Sequence, residues 1–424
     1  MQAGAFLCMK TPLIHMLSFR AISFTKIMTT ALLMVLGFAT AVIAAPRVPV
    51  SDSDVLERLP TRAGDSTART ARALREALAR DNKNLAAAVA AAQLHIANAR
   101  RDSDPRQLGQ AEAVLSPWWG EASPPIPVLV LRATIRQSVH EFAAARRDLE
   151  QAVKRDPKNG QAWLTLSTVQ QVTGDLAGAA QSCERLSTNS ILFIAITCRS
   201  TVDAANGRAV FAYQQLDILL DQSAGIPSSL RSWAITLQAE IAQRLGKNRD
   251  AERLFRASLA IERDDAYTIA AYADFLLDGK RAGAVLKLIP ADTRADNLLL
   301  RRAIAAKQAN APDANTLIDL LQARFDAAHA RGSRVHLREE ARFELQLRNR
   351  PAAAQKLAQE NWQVQKEPAD ARILIESAAA NADPTAANEA VLWVRTSRLE
   401  DVTLRKMIAP LGKDVGRTNK SGAA

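Results

Sequence analysis

Glycine, proline and aromatic residues are all scarce in this sequence of 424 residues. The 17 Gly and 17 Pro exclude collagen-like and glycine- or proline-rich low-complexity architectures. Charged residues make up 23% and hydrophobic residues 48%, so the chain has enough apolar surface to fold. Ala and Leu dominate the apolar fraction, which favours helices over sheets. The length fits either two or three compact domains or one elongated repeat array.

Acidic residues are absent from residues 1–44, which carry three basic residues ahead of an apolar run over 27–43. This pattern is typical of a secretory signal peptide, with cleavage predicted after Ala44 and a linker over residues 45–65. An uncleaved membrane anchor is the alternative, because the apolar run is nearly long enough to span a bilayer. Cleavage would lower the formal net charge from +11 to +8.

The predicted export limits the kinds of partner that we expect. Ala- and Arg-rich usage together with this signal is typical of a Gram-negative bacterium, so the sequence predicts the periplasm. If the anchor is retained, the chain faces the periplasm from the inner membrane, and only then do we expect a membrane contact. No basic stripe alternates with aromatic residues, so we expect no nucleic acid as a partner. The sequence leaves the oligomeric state open.

Small residues recur along the chain with a period of 33 to 35 residues, lengthened once by an insertion over 223–229. The recurring residues are Ala111, Ala145, Ala179, Ala212, Ala251, Ala284 and Ala354. Five residues before each lies a predicted turn, at Arg106, His140, Gly174, Gly207, Gly246, Gly279 and Asn349. Each unit is therefore predicted to form two helices joined by a tight turn, with small residues where the helices touch. One such hairpin cannot bury its apolar face alone, which predicts a stacked array.

The units resemble tetratricopeptide repeats. In the best copy, Trp163, Leu166, Gly174 and Ala179 follow the spacing of that family, and the resemblance is most specific over residues 127–290. It implies an all-α fold, a superhelical solenoid of about eight to nine helix pairs. Helical repeats are also expected on either side, over residues 66–126 and, in divergent form, over 291–400, followed by a C-terminal tail over 401–424.

The resemblance implies a non-catalytic exported scaffold that mediates protein–protein or peptide interactions in the cell envelope. In this family the first helix of each pair lines the concave face. The matching positions of this sequence are Val130, Thr134, Gln137, Leu164, Thr168, Gln171, Thr197, Thr201, Trp233, Thr236, Glu240 and Gln243. Such a series of Thr and Gln side chains with a few apolar residues suits an extended peptide. We predict this series as the peptide-binding groove.

Catalytic and metal-ligating patterns are few. His140 has Ala144 rather than a second histidine four residues later, and His336 is followed at that distance by Glu340. Neither pair therefore makes a zinc site, and we expect no enzyme activity, metal or cofactor. The alternative is a docking module of an envelope assembly machine or enzyme with a membrane-anchored N-terminus. Chemistry in the C-terminal third would then require His329, His336, Glu339 and Glu340 to converge.

Two cysteines, Cys183 and Cys198, remain after signal cleavage. They lie at similar distances from a loop near residues 187–190, on helices that we expect to run antiparallel. A disulfide would be favoured in an oxidising compartment and would stabilise the fold by about 3 kcal/mol. It requires closely spaced Cα atoms, and the alternative is a pair of buried free thiols.

Overall fold

The computed structural model describes residue 51 and residues 66–410, apart from Ser103, Ser190 and Ser223. The predicted signal peptide, nearly all of the predicted linker and the chain from residue 411 onward lie outside these residues. Within the described residues the chain forms helices joined by turns, with no β-strand. None of these helices combines the length and the apolarity that a bilayer crossing requires.

The helices follow one another as hairpins joined by short connections. In chain order they are α1 (Ser66–Arg80), α2 (Leu85–Asp102), α3 (Arg106–Val114), α4 (Ser116–Trp119), α5 (Ile126–Ser138), α6 (Phe142–Arg155), α7 (Gly160–Val172), α8 (Leu176–Asn189), α9 (Leu192–Ala205), α10 (Ala209–Gln222), α11 (Ser228–Arg244), α12 (Asn248–Ile261), α13 (Ala266–Asp278), α14 (Ala282–Leu288), α15 (Asp296–Gln308), α16 (Ala314–Ala330), α17 (Leu337–Arg342), α18 (Pro351–Val364), α19 (Pro368–Ala380), α20 (Asn388–Thr396) and α21 (Val402–Ile408). A π-helical turn, Phe343–Leu347, continues α17, and a 3₁₀ turn, Pro384–Ala387, precedes α20.

Neighbouring helices pack in pairs, of which the described residues contain nine: α2–α3, α5–α6 and so on to α19–α20. This arrangement confirms the all-α hairpin solenoid. Six of the seven recurring alanines are fully buried, namely Ala111, Ala145, Ala179, Ala212, Ala251 and Ala354, at 0% exposure. With only a methyl group at these positions, the backbones of paired helices approach closely.

The hairpin turns place one residue in the left-handed backbone region. Gly174, Gly207 and Gly246 have φ angles of 83°, 73° and 75°, which glycine adopts without a steric penalty. His140 and Asn349 occupy the same position with φ of 63° and 53°. There the Cβ atom costs about 1–2 kcal/mol. Five of the seven predicted turn residues are thus confirmed.

Of the two remaining predictions, Gly279 does lie in the turn after α13, one residue before the left-handed position, and only Arg106 is wrong. In the hairpin α13–α14 the residue at positive φ is Lys280 (54°), whereas Gly279 ends α13 with φ of −78°. The buried contact in α14 moves with it, from the predicted Ala284 to Val285, which is fully buried. The first predicted turn residue, Arg106, instead begins α3.

In the part of the chain that the structure describes, the apolar core is divided into five clusters of buried side chains. The largest extends from α9 to the π-helical turn after α17, where Phe343 is fully buried. The C-terminal cluster surrounds Trp362 and draws only on residues between Ala341 and Ile408. The predicted tail over 401–424 therefore begins with a packed helix: Leu404 in α21 is 1% exposed, and the Asp401 side chain caps its first turn.

The last hairpins return to the central ones. The backbone N–H of Lys366, just before α19, donates to the carbonyl of Val172 at the end of α7, at 2.8 Å. The backbone N–H of Ala209, at the start of α10, donates to the Glu400 carboxylate. The solenoid thus closes on itself, which the sequence did not predict.

Candidate functional site

The closed solenoid surrounds a cavity of about 410 Å³ that is open to solvent. Seven inner helices, α7, α9, α11, α13, α15, α17 and α19, contribute to its wall, represented in that order by Gln171, Thr201, Glu240, Tyr267, Arg301, Arg342 and Arg372. A volume of this size lies in the range of small-molecule and peptide clefts. The wall mixes arginines, carboxylates and amides, so it is suited to recognition through charge and hydrogen bonds.

Four of the twelve predicted groove residues reach this cavity: Gln171, Thr201, Glu240 and Gln243. Gln243 lies within 3.5 Å of the Asp278 carboxylate across the wall, and Glu240 accepts a hydrogen bond from the Tyr267 hydroxyl at 2.9 Å. At these four positions the residues predicted for the inner face line the cavity wall. Whether the surface binds a peptide stays a prediction.

Four other predicted residues are buried between helices, contrary to the groove prediction: Val130, Thr134, Thr197 and Thr236, at 8% exposure or less. The hydroxyls of Thr134 and Thr197 donate to backbone carbonyls four residues earlier. The Thr236 hydroxyl bonds to Ser258 and Thr268 on neighbouring helices, each at 2.7 Å. The remaining four, Gln137, Leu164, Thr168 and Trp233, are half-buried or exposed and lie outside the cavity wall.

Asp274 on α13 lies between two guanidinium groups. Arg301 Nη2 is 2.6 Å from one carboxylate oxygen, and Arg342 Nη2 is 2.9 Å from the other. Burial raises the pKa of Asp274, but the two arginines outweigh it and hold this pKa well below its usual value. Asp274 is therefore ionised at neutral pH, and it links α13 to the neighbouring α15 and to α17 beyond it.

Arg372 on α19 makes a second ion pair across the cavity, with Asp278 one turn beyond Asp274. Its two terminal nitrogens each lie 2.7 Å from an oxygen of the Asp278 carboxylate. Burial opposes the charge of Arg372, yet the hydrogen bond to Asp278 and the nearby Glu376 raise its pKa. Such bidentate pairs combine charge with a fixed geometry.

Arg338 on α17 sits among three carboxylates. It donates to Glu367 at 3.0 Å and to Asp370 at 3.3 Å, and it also pairs with Glu339 at 3.3 Å. Burial raises the pKa of Asp370 to about 6 although Arg338 lowers it. Asn361 donates to the same carboxylate at 2.8 Å. These contacts hold the first turn of α19 against α17.

Glu240 on α11 is a cavity carboxylate whose pKa is raised well above its usual value. Burial raises it to about 7, while the hydrogen bond from Tyr267 and the charge of Arg244 lower it. The nearby charges of Glu367 and Asp274 also contribute to this raised pKa. The charge of Glu240 therefore changes near neutral pH.

Cys183 and Cys198 are joined by a disulfide in the structure, with their Cα atoms 5.6 Å apart. They lie on α8 and α9 and are 1% and 2% exposed. The Ser167 hydroxyl of α7 is 3.0 Å from the sulfur of Cys183. The bridge thus ties two hairpins together beside the cavity without facing it.

The histidines do not assemble into one site. His329 pairs with Glu340 at 3.0 Å beside a second cavity of about 440 Å³, whereas Glu339 lines the first. Burial lowers the pKa of His140 to about 4, and Glu339 and His336 lie near enough to affect it. In the part of the chain that the structure describes, no group of three or more His, Cys, Asp or Glu side chains is placed to hold a metal ion. The convergence required by the alternative function is therefore not observed.

The cavity's arginines and the acids that they contact were not predicted from the sequence. Arg338 and Arg342 are one turn apart on α17, and Asp274 and Asp278 are one turn apart on α13. This spacing places each pair on one helix face. A pattern of like charges four residues apart was the available signal, although it does not say which helices meet.

Comparisons with known proteins find solved structures with a similar succession of helices. No protein-family model and no curated protein match the sequence. Among solved structures, the chain is similar to the APC/C hetero-tetramer Cut9–Hcn1, with 12% identity over 73% of this chain and a TM-score of 0.40. This match spans about half of that chain, 52% of its length.

Two further similarities are to proteins matched over most of their own length. A tetratricopeptide repeat protein from Parabacteroides merdae ATCC 43184 shares 14% identity over 68% of this chain and 98% of its own, with a TM-score of 0.35. Yeast Tom70 shares 10% identity over 84% of this chain and 87% of its own, with a TM-score of 0.38. At these identities and TM-scores, the similarities assign neither a partner nor a function.

Proposed function

We propose that the chain is a non-catalytic, exported helical-repeat scaffold that binds a protein or peptide partner in the cell envelope. One observation carries the proposal: seven successive inner helices present polar and charged side chains to a single cavity. Stacked hairpins of this kind form continuous concave surfaces, which are the binding surfaces of solenoid proteins.

The chemistry of the wall supports recognition. Its carboxylates and guanidinium groups are held in fixed orientations by one another, as in the bidentate pair of Arg372 with Asp278. Pre-oriented charged groups discriminate between partners by charge complementarity. Amide side chains such as Gln171 and Gln243 add donors and acceptors for peptide groups.

Export to the periplasm is supported by the signal pattern of residues 1–44 and by the buried bridge between Cys183 and Cys198. Disulfides of this kind persist in oxidising compartments. Fractionation of cells, with the mass of the mature chain, tests the location: a chain beginning at Ala45 in the periplasmic fraction supports export with cleavage. A full-length chain in the inner membrane would favour the anchored alternative.

In-cell photocrosslinking tests the binding surface. A photoreactive residue placed at Gln171 or Thr201, on the cavity wall, is expected to capture the same partner from both positions. The matched control is Gln181, an exposed position on the outer helix α8. Capture from Gln181 alone would contradict the assignment of the inner surface.

A further inference from the structure

Helices α18–α21 meet the central hairpins without a shared apolar core. The cluster around Trp362 contains only residues between Ala341 and Ile408, and among the described residues no apolar cluster joins α18–α21 to α7–α12. We call the contacts of residues 337–408 with α7–α13 and their turns the seam. Phe343 and Leu347, just after α17, are the exception, since they belong to the largest cluster together with residues of α13. The rest of the seam therefore differs from the contacts between neighbouring hairpins, which are apolar.

Polar contacts form the seam at several points. At its edges are the backbone hydrogen bond from Lys366 to Val172, at 2.8 Å, and the hydrogen bond from Ala209 to Glu400. Contacts of this kind exchange readily for contacts with water, so each contributes little net stability. The side chains of the two ion pairs are 18–32% exposed, so salt weakens these pairs in part.

Two carboxylates of α13 receive the ion pairs of the seam. Asp274 and Asp278 are four residues apart and therefore about 6 Å apart along the helix. Arg342 donates to the first and Arg372 to the second, from two different helices of the C-terminal hairpins. Both arginines use two nitrogens on two carboxylate oxygens. Lysine cannot reproduce this geometry.

We propose that residues 337–408 cover an interaction surface on α13, and that its external partner is a protein segment bearing two arginines that take the places of Arg342 and Arg372. This inference rests on the proposed function and names its class of partner. In a helical partner, arginines at positions i and i+4 match the spacing of the two carboxylates. The chain's own C-terminal hairpins and the partner then compete for one surface, so partner binding requires Arg342 and Arg372 to release the two carboxylates and α18–α21 to separate from the central hairpins.

The test uses the full chain and a capped, alanine-rich helical peptide with arginines at positions i and i+4. Arg372→Ala removes one of the chain's own arginines and leaves Asp278 free to accept the peptide, whereas Asp278→Asn removes the acceptor. Both variants are expected to accelerate hydrogen exchange at the Lys366 amide, because both weaken the seam. Arg253→Ala, which breaks an exposed pair with Asp250 outside the seam, is the control and should leave that exchange unchanged.

Peptide binding separates the two variants. By fluorescence anisotropy, Arg372→Ala is expected to bind the arginine peptide about tenfold more tightly than the unmodified chain, because the competing arginine is gone. Asp278→Asn is expected to lose this binding, and a lysine version of the peptide should bind more weakly. Equal peptide binding by the two variants, or unchanged exchange at Lys366 in both, would overturn the inference.

The outcome is distinguishable from failure of the proposed function. Partner capture at Gln171 in cells, combined with no peptide binding by Arg372→Ala, would remove only the arginine-bearing class of partner. Conversely, peptide binding in vitro without any partner captured in cells would support the arginine-binding surface on α13 and contradict the proposed scaffold function.

Discussion

Gly207→Ala is the substitution that most sharply separates solenoid closure from ordinary turn strain. Gly207 has φ of 73°, and a Cβ atom added there would lie 2.8 Å from the Cβ of Arg398 and 3.2 Å from its carbonyl oxygen. The left-handed backbone alone costs an alanine about 1–2 kcal/mol. The overlap with Arg398 adds about 1–3 kcal/mol, because the C-terminal backbone must shift.

Gly225→Ala is the matched control for this substitution. Its φ is 78°, and nothing lies within 4 Å of the added Cβ. We therefore expect a loss of about 1–2 kcal/mol from strain alone. Urea unfolding followed by circular dichroism compares the two variants, and hydrogen exchange should show faster exchange in α21 for Gly207→Ala only. Equal destabilisation by both substitutions, with α21 unchanged, would refute the packing of Arg398 against Gly207.

Three further predictions concern the turn, a buried carboxylate and the disulfide. Lys280→Gly is expected to raise the free energy of unfolding by about 1 kcal/mol by relieving the positive φ, whereas Gly279→Ala should be nearly neutral in the same urea titration. Burial raises the pKa of Glu240 from 4.5 to about 7, so between these pH values the native state holds a proton that the unfolded chain releases. The free energy of unfolding therefore falls as pH rises through this window, by less than about 1.4 kcal/mol per pH unit. Glu240→Gln should remove this fall in urea unfolding curves measured at each pH. Replacing Cys183 and Cys198 together by alanine should lower stability by about 3 kcal/mol for a loop of 15 residues, and reduction of the unmodified chain should give the same shift of the urea midpoint.

The hairpins were predictable because their determinants are local. Ala145 and Ala179, each five residues after a turn, mark the close contact between two helices that are adjacent in sequence. At the turn after α13 the same reasoning was one residue off: Gly279 lies in the turn with negative φ, and Lys280 takes the left-handed position. Periodicity fixes which residues form hairpins but not the residue at which the chain reverses.

The cavity was only partly predictable. Thr197 and Gln171 both lie on inner helices, yet Thr197 satisfies its hydroxyl on its own helix and is buried, while Gln171 reaches the cavity wall. Closure was not predictable at all, because Asp278 and Arg372 are 94 residues apart and leave no periodic signature. Contacts between distant turns of a solenoid depend on the accumulated curvature of the hairpins between them.

An engineered disulfide tests the closure of the solenoid most directly. A Cβ atom added at Gly174 would lie 3.2 Å from the Cβ of Lys366, close to the separation that a disulfide needs. The double variant Gly174→Cys and Lys366→Cys is expected to form an intramolecular bridge under mild oxidation, detected by peptide mass mapping. The pair Gly225→Cys and Lys366→Cys should not form one. Failure of the first double variant to bridge, or bridging only between molecules, would contradict the closed solenoid.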